Sequence, residues 1–138
     1  MHDKFLFTIR TPEEEIVSKE VESVYIGTEM GDLMLLPDHA SFSGVVSFSP
    51  VVLKDGEHEE TYVAKRGVLF FSNTKNTGVL LAGQCDAKES LDYEGLKDYL
   101  ALIQEKLQSG DTESLSDFQM KFLEGERLAL VEQLEEQE

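Results

Sequence analysis

Apolar and polar residues follow two different rhythms along the chain. Phe5, Phe7 and Ile9 alternate with Leu6, Thr8 and Arg10, the period of a half-buried strand. Val24 and Ile26 flank Tyr25 in the same way. Leu33-Met34-Leu35-Leu36 is a short apolar run stopped by Pro37. Val45-Val46 and Val51-Val52-Leu53 are two more, with Pro50 between them. Lys54-Asp55-Gly56 is a tight-turn signal before Thr61-Tyr62-Val63-Ala64. Gly67-Val68-Leu69-Phe70-Phe71 and Gly78-Val79-Leu80-Leu81-Ala82 complete the series, joined by a polar loop at Ser72 to Asn76. Short strands at this spacing, uninterrupted by a helix, predict a sandwich or barrel and argue against a parallel α/β sheet.

Beyond residue 90 the period becomes helical. Leu96, Tyr99, Leu100, Ile103 and Leu107 make one apolar stripe. Ser90 or Asp92 can cap this helix, and Ser109-Gly110 stops it. Asp111, Thr112 or Ser114 can cap a second helix. Its stripe starts with Leu115, Phe118 and Phe122 and continues on a neighbouring face with Leu123, Leu130 and Leu134. Gly125 in its middle costs about 1 kcal/mol relative to alanine. The expected fold is an all-β N-terminal antiparallel β-sandwich, residues 1–90, followed by a C-terminal antiparallel α-helical hairpin, residues 91–138. So small a hairpin must rest its stripe on the β-domain or on a partner.

Charge narrows the function. Twenty-eight acidic residues face twelve basic ones in 138, a net −16. The β-part carries −7 and the hairpin −9. Such a chain is repelled by nucleic-acid phosphates and anionic lipid, so neither is an expected partner. The longest apolar runs fall far short of the ~18 residues of a membrane span, and no direct lipid insertion is expected. Residues 1–5 show no basic segment leading into an apolar one, so no secretory signal is expected. Cys85 stands alone, which excludes an internal disulfide and fits a reducing compartment.

No active site assembles in the sequence. There is no phosphate-binding glycine loop, and His2, His39 and His58 lack ligand spacing. A Cys85–His39 pair and an Asp38-His39-Ser41 group are weak candidates, because neither has a supporting motif. The acids at Glu13-Glu14-Glu15, at Glu57 to Glu60 and in the tail from Glu132 to Glu138 read as solvated surface. No catalytic residue, metal or cofactor is expected.

The stretch Met30-Gly31-Asp32-Leu33-Met34-Leu35-Leu36-Pro37-Asp38-His39-Ala40 resembles the epsilon subunit of F-type ATP synthases, where the pattern is roughly E-G-x-h-G-h-L-P-G-H-A with h apolar. Thr11-Pro12, Glu20-Val21-Glu22-Ser23-Val24, Ser49-Pro50-Val51-Val52-Leu53, Tyr62 to Leu69 and Val79-Leu80-Leu81-Ala82 resemble further family segments in the same order. Ser90-Leu91-Asp92 stands where that family passes from sandwich to hairpin. The resemblance implies a non-catalytic rotor central-stalk subunit. It would link the gamma subunit to the membrane rotor ring and couple ion transport to ATP synthesis or hydrolysis, peripherally at the cytoplasmic face of the cell membrane.

By position in that family, Gly31, Asp32, Asp38 and His39 are candidates for contact with the ring, and the aromatics Phe42 and Phe48 for contact with gamma. The acidic charge would steer the chain to a basic gamma subunit. Some family members bind ATP through I/L-D-x-x-R-A. Here Leu91-Asp92-Tyr93-Glu94-Gly95-Leu96 lacks the arginine, and the second helix offers Lys121 and Arg127, so ATP binding is not expected. An acidic second helix also makes family-type inhibition by the hairpin doubtful. The Leu-Pro-x-His-x-x-Phe loop ending in Phe42 is similar to the divergent second-copy bacterial type, often linked to sodium. The alternative is a free-standing small ligand-binding or enzymatic β-domain with an acidic helical lid, which requires a concave site with convergent polar groups.

Overall fold

The computed structural model describes residues 2–108, 124–132 and 134. They belong to two compact units, Met1–Lys88 and Glu89–Glu138.

The first unit is built from seven strands: β1 (Phe5–Arg10), β2 (Glu15–Val21), β3 (Ser23–Thr28), β4 (Gly31–Leu35), β5 (Phe42–Asp55), β6 (His58–Ser72) and β7 (Thr77–Ala87). They form one continuous ladder in the order β2-β1-β7-β6-β5-β3-β4. Neighbours are antiparallel except β1 and β7, which pair in parallel from Leu6↔Thr77 to Arg10↔Leu81. The three long strands are what make two layers from one ladder. The β5–β6 register skips Ser47 and Arg66 between Val46↔Gly67 and Phe48↔Lys65. The β6–β7 register skips Arg66 and Gly83 between Gly67↔Ala82 and Lys65↔Gln84. The interruption therefore crosses three neighbouring strands in line without shifting their register, as expected where a sheet bends at a corner. On one side of it lie β2, β1, the first half of β7, the last half of β6 and the first half of β5. On the other lie the remaining halves with β3 and β4.

Both layers turn alternate residues into one core. Phe5, Phe7, Ile9, Val46, Leu69, Phe71 and Leu80 from the first layer meet Val24, Ile26, Leu35, Val51, Leu53, Ala64 and Cys85 from the second. The Phe5 ring stands edge-on to Phe7 and Phe71, at 6.5 and 5.4 Å. The open side between β2 and the β5–β6 hairpin is tied by Lys19–Glu60 at 2.6 Å and Lys4–Asp55 at 2.8 Å.

Pro50 does not divide two strands, as its position between two apolar runs suggests; it lies inside β5. The ladder to β3 ends at Ile26↔Val51, short of the residue without an N–H. The buried Ser49 hydroxyl substitutes there: its Oγ accepts from Gly27 N at 2.8 Å and donates to the Pro50 carbonyl at 2.7 Å. The runs at 61–64 and 67–71 likewise belong to one strand, and the run at 78–82 extends to Ala87.

A short 3₁₀ turn, Lys88–Ser90, spans the boundary in sequence, and the second unit carries the helix α1, Tyr93–Gln108. Of the two possible caps, Asp92 is the one used: its Oδ1 accepts from Gly95 N at 2.8 Å. Leu96, Tyr99 and Ile103 are buried along the expected stripe, with Leu100 and Leu107 half-buried. Residues 124–132 are helical, and Leu130 and Leu134 are buried. The fully buried Tyr99 ring directs its hydroxyl to Glu126 Oε2 at 2.8 Å, so the two helical segments share a polar tie. The predicted stop at Ser109-Gly110, the caps Asp111, Thr112 and Ser114, and Leu115, Phe118, Lys121, Phe122 and Leu123 lie outside the described residues.

Candidate partner-binding surfaces

The loop after β4 is fixed rather than freely displayed. Asp38 adopts a left-handed backbone, φ 64°, which aspartate tolerates better than most residues. Its N–H donates to the buried Asn76 Oδ1 at 2.7 Å, and Asn76 Nδ2 donates to the Lys4 carbonyl at 2.9 Å. Asn73 Nδ2 reaches the carbonyls of Asp38 and His39 at 2.8 and 3.2 Å. The Asp38 carboxylate takes the His2 N–H at 2.8 Å and the His2 imidazole at 2.7 Å. The backbone bond from His2, followed by its side-chain bond, holds this carboxyl below its ordinary range. The His39 ring packs against Phe42 and Phe71, at 5.3 and 5.6 Å between centroids.

Gly31 and Asp32 occupy the other end of β4. Gly31, φ 122°, closes the β3–β4 turn, where Thr28 Oγ1 donates to its carbonyl at 2.9 Å. Met30 at the tip is 90% exposed. Asp32 accepts from the buried Tyr25 hydroxyl at 2.7 Å; burial, reinforced by this bond, pushes the phenol above its usual range. The four residues assigned to the ring thus form two pairs at opposite ends of an edge strand. Six residue steps separate Asp32 from Asp38, about 20 Å if extended.

Neither weak catalytic grouping is assembled. Asp38 is turned to His2, while His39 Nδ1 lies 2.7 Å from the Ala40 carbonyl. Ser41 Oγ accepts from Asn73 N. Cys85 is a core residue whose thiol is pushed up to about 12 by burial and, secondarily, by Asp86. Such a thiol has negligible nucleophilic thiolate near neutrality. Among the described residues no three His, Cys, Asp or Glu side chains group to hold a metal ion.

The aromatics assigned to gamma are only partly available. Phe42 is half-buried against the core, and the half-buried Phe48 lies under Lys65 Nζ at 5.0 Å from its ring centre. The broad apolar surface is elsewhere, on the outer face of the first layer. Cross-strand register puts Val45 beside Val68 and Val68 beside Leu81, while Phe70 pairs with Val79 in the next row. Leu6 extends this face on β1. Phe70 and Leu81 are 44% and 47% exposed, and Leu6, Val45 and Val68 are exposed too. A signal for this face existed: where antiparallel strands alternate inside and outside, an unbroken apolar run makes the outer face apolar as well.

Arg66 stands at one end of this face. It has a left-handed backbone, φ 56°, which costs an ordinary L-residue roughly 1–2 kcal/mol. Its side chain lies across Gly83: a Cβ there would be 3.2 Å from Arg66 Nε and 3.4 Å from Arg66 Cβ. Gly83 follows Leu81 by two positions on β7, so the arginine lies on the same outer face.

A β-sandwich with one broad apolar face and an appended helical unit has the build of a docking module. Residues 4–80 match the family model of the ATP synthase delta/epsilon chain β-sandwich domain. Over 118 residues, 82% of this chain and 81% of the relative, it is 30% identical to the ATP synthase epsilon chain of Thermodesulfovibrio yellowstonii. It is 29% identical to the sodium-ion-specific epsilon chain of Propionigenium modestum, over 75% and 74% of the two chains. A chain of the Euglena gracilis mitochondrial ATP synthase shares the fold with a TM-score of 0.64 at 20% identity, over 82% of this chain and 71% of that one. The chain belongs to the ATP synthase epsilon-chain family.

Proposed function

We propose that the chain is a non-catalytic central-stalk subunit that transmits torque between the gamma subunit and the membrane rotor ring. The outer face of Leu6, Val45, Val68, Phe70 and Leu81 is the gamma-docking surface, and its exposure in a family member is the observation that carries this reading. Phe42 and Phe48 lie at its margin and serve as supports for the β5 backbone. The ring faces the β4 edge. A partner lying along that edge meets Gly31 and Asp32 at one end and Asp38 and His39 at the other, with Met30 projecting between bodies. The subunit then sits peripherally at the cytoplasmic membrane face, without binding ATP.

The working parts here are shape and rigidity. The bonds from His2, Asn73 and Asn76 hold the 37–41 loop, and a held loop passes load without rearranging. The test is co-expression of the full chain with the gamma and ring subunits of the same synthase, followed by affinity capture. Native protein should retain both. Leu81→Asp should lose gamma while keeping its circular dichroism spectrum, because a carboxylate then sits in the centre of a desolvated contact. Undiminished capture of gamma by Leu81→Asp would show that the docking face is elsewhere.

A further inference from the structure

We infer that Arg66 is a docking anchor that receives a carboxylate from the protein partner seated on the apolar outer face. This deepens the proposed gamma contact and rests on it. The chain has 28 acidic residues and only 12 basic ones, yet among the described residues no carboxylate lies within ion-pair distance of the Arg66 guanidinium. Lys4, Lys19 and Arg10 each have such a partner. The guanidinium is exposed and lies over Gly83, beside the exposed Leu81 and across the bend from Val68.

Its setting is costly in two ways. A left-handed backbone suits glycine or asparagine better than arginine. A side chain at residue 83 would also crowd the arginine, whose Nε and Cβ would lie 3.2 and 3.4 Å from its Cβ. A positively charged fork held at the rim of an apolar face has the geometry of an interface anchor, and arginine is enriched in that role. Its complement is an acidic side chain flanked by apolar ones. Anionic lipid and nucleic acid are the less favoured carriers of negative charge, because a net −16 chain is repelled by both. The expected local complementarity is thus opposite in sign to the chain's overall field.

The experiment measures affinity of the full chain for the gamma subunit of the same synthase, by titration calorimetry at low and high salt. Arg66→Gly removes the charge and relieves the backbone. It should leave the melting temperature unchanged or higher and weaken binding about 10- to 100-fold, chiefly through faster dissociation. Arg66→Glu should weaken it further and be rescued by reversing one gamma carboxylate. Phe70→Asp, or Leu81→Asp where the former does not fold, reports on the face itself. If those variants bind like native protein, the docking face is wrong and the anchor falls with it. If they lose binding while Arg66→Gly binds like native, the anchor alone is refuted. Equal weakening by Arg66→Gly and Arg66→Glu also refutes it, since the charge at residue 66 then plays no part. Native binding to vesicles containing phosphatidylglycerol that Arg66→Gly abolishes would overturn the assignment to a protein carboxylate.

Discussion

Replacing Ser49 by alanine removes one oxygen from the centre of the β-domain and separates two effects that proline alone would confuse. Ser49 is fully buried, and its hydroxyl bridges the Gly27 N–H and the Pro50 carbonyl at 2.8 and 2.7 Å. With the oxygen gone, the buried Gly27 N–H has lost its acceptor at the point where the β3–β5 ladder stops. An orphaned buried donor costs about 1–3 kcal/mol, offset in part because the hydroxyl itself no longer has to be desolvated. A net loss of about 2 kcal/mol corresponds to a melting point lower by roughly 8–16 °C in a domain of this size. Amide exchange of the full chain, read at β-domain residues, isolates this unit from the helical one. Ser43→Ala, on the same strand but exposed, should change stability by less than about 0.5 kcal/mol. A comparably small loss for Ser49→Ala, or unaltered protection of the Gly27 amide, would refute the bridge.

Two further predictions concern the loop and the helices. Asp38 has a folded carboxyl pKa below its ordinary value of about 3.9, so its bond to His2 supports the loop above that pH and is lost as pH falls through the lower folded value. His2→Ala keeps the backbone N–H and removes only the imidazole, so the Asp38 midpoint, followed by carboxyl-carbon NMR, should move part of the way upward; an unmoved midpoint would remove the imidazole as a cause and leave the His2 N–H alone. Gly125 lies in a helical segment with open space where its Cβ would be, so Gly125→Ala should stabilise the helical unit by about 1 kcal/mol. Denaturation followed by helical circular dichroism that shows no gain would place that glycine in a role other than a helix interior.

Much of the fold was legible because its physics is local. Phe5, Phe7 and Ile9 enter the core, as their alternation requires, and Leu96, Tyr99 and Ile103 are buried at helical spacing. β2 was not visible in the same way. Its Ile16 and Val17 are adjacent and half-buried, and an edge strand carrying Glu15, Lys19 and Glu20 has no clean period. Strand lengths were illegible for a different reason. Pro50 reads as a break, yet a proline costs no ladder bond where the ladder has already ended and a serine hydroxyl substitutes. The parallel β1–β7 pair depends on how distant strands meet, which no window of a few residues contains.

The docking face shows how global charge and local chemistry answer different questions. A net −16 favours encounter with a basic partner, but that field acts through solvent and is largely screened beyond about 8 Å. At contact, what counts is which groups are desolvated together. The acids Asp38, Asp55 and Glu60 are engaged with His2, Lys4 and Lys19, whereas the exposed centre is Val45, Val68, Phe70 and Leu81 with Arg66 at its end. A purely basic complement would place like charge against Arg66 and leave that guanidinium unpaired in a drying interface, which is the costly arrangement. The partner that satisfies both terms is basic in its wider field and carries a carboxylate at the point of contact. Far-field attraction should therefore appear in the association rate and its salt dependence, and the Arg66 contact chiefly in the dissociation rate.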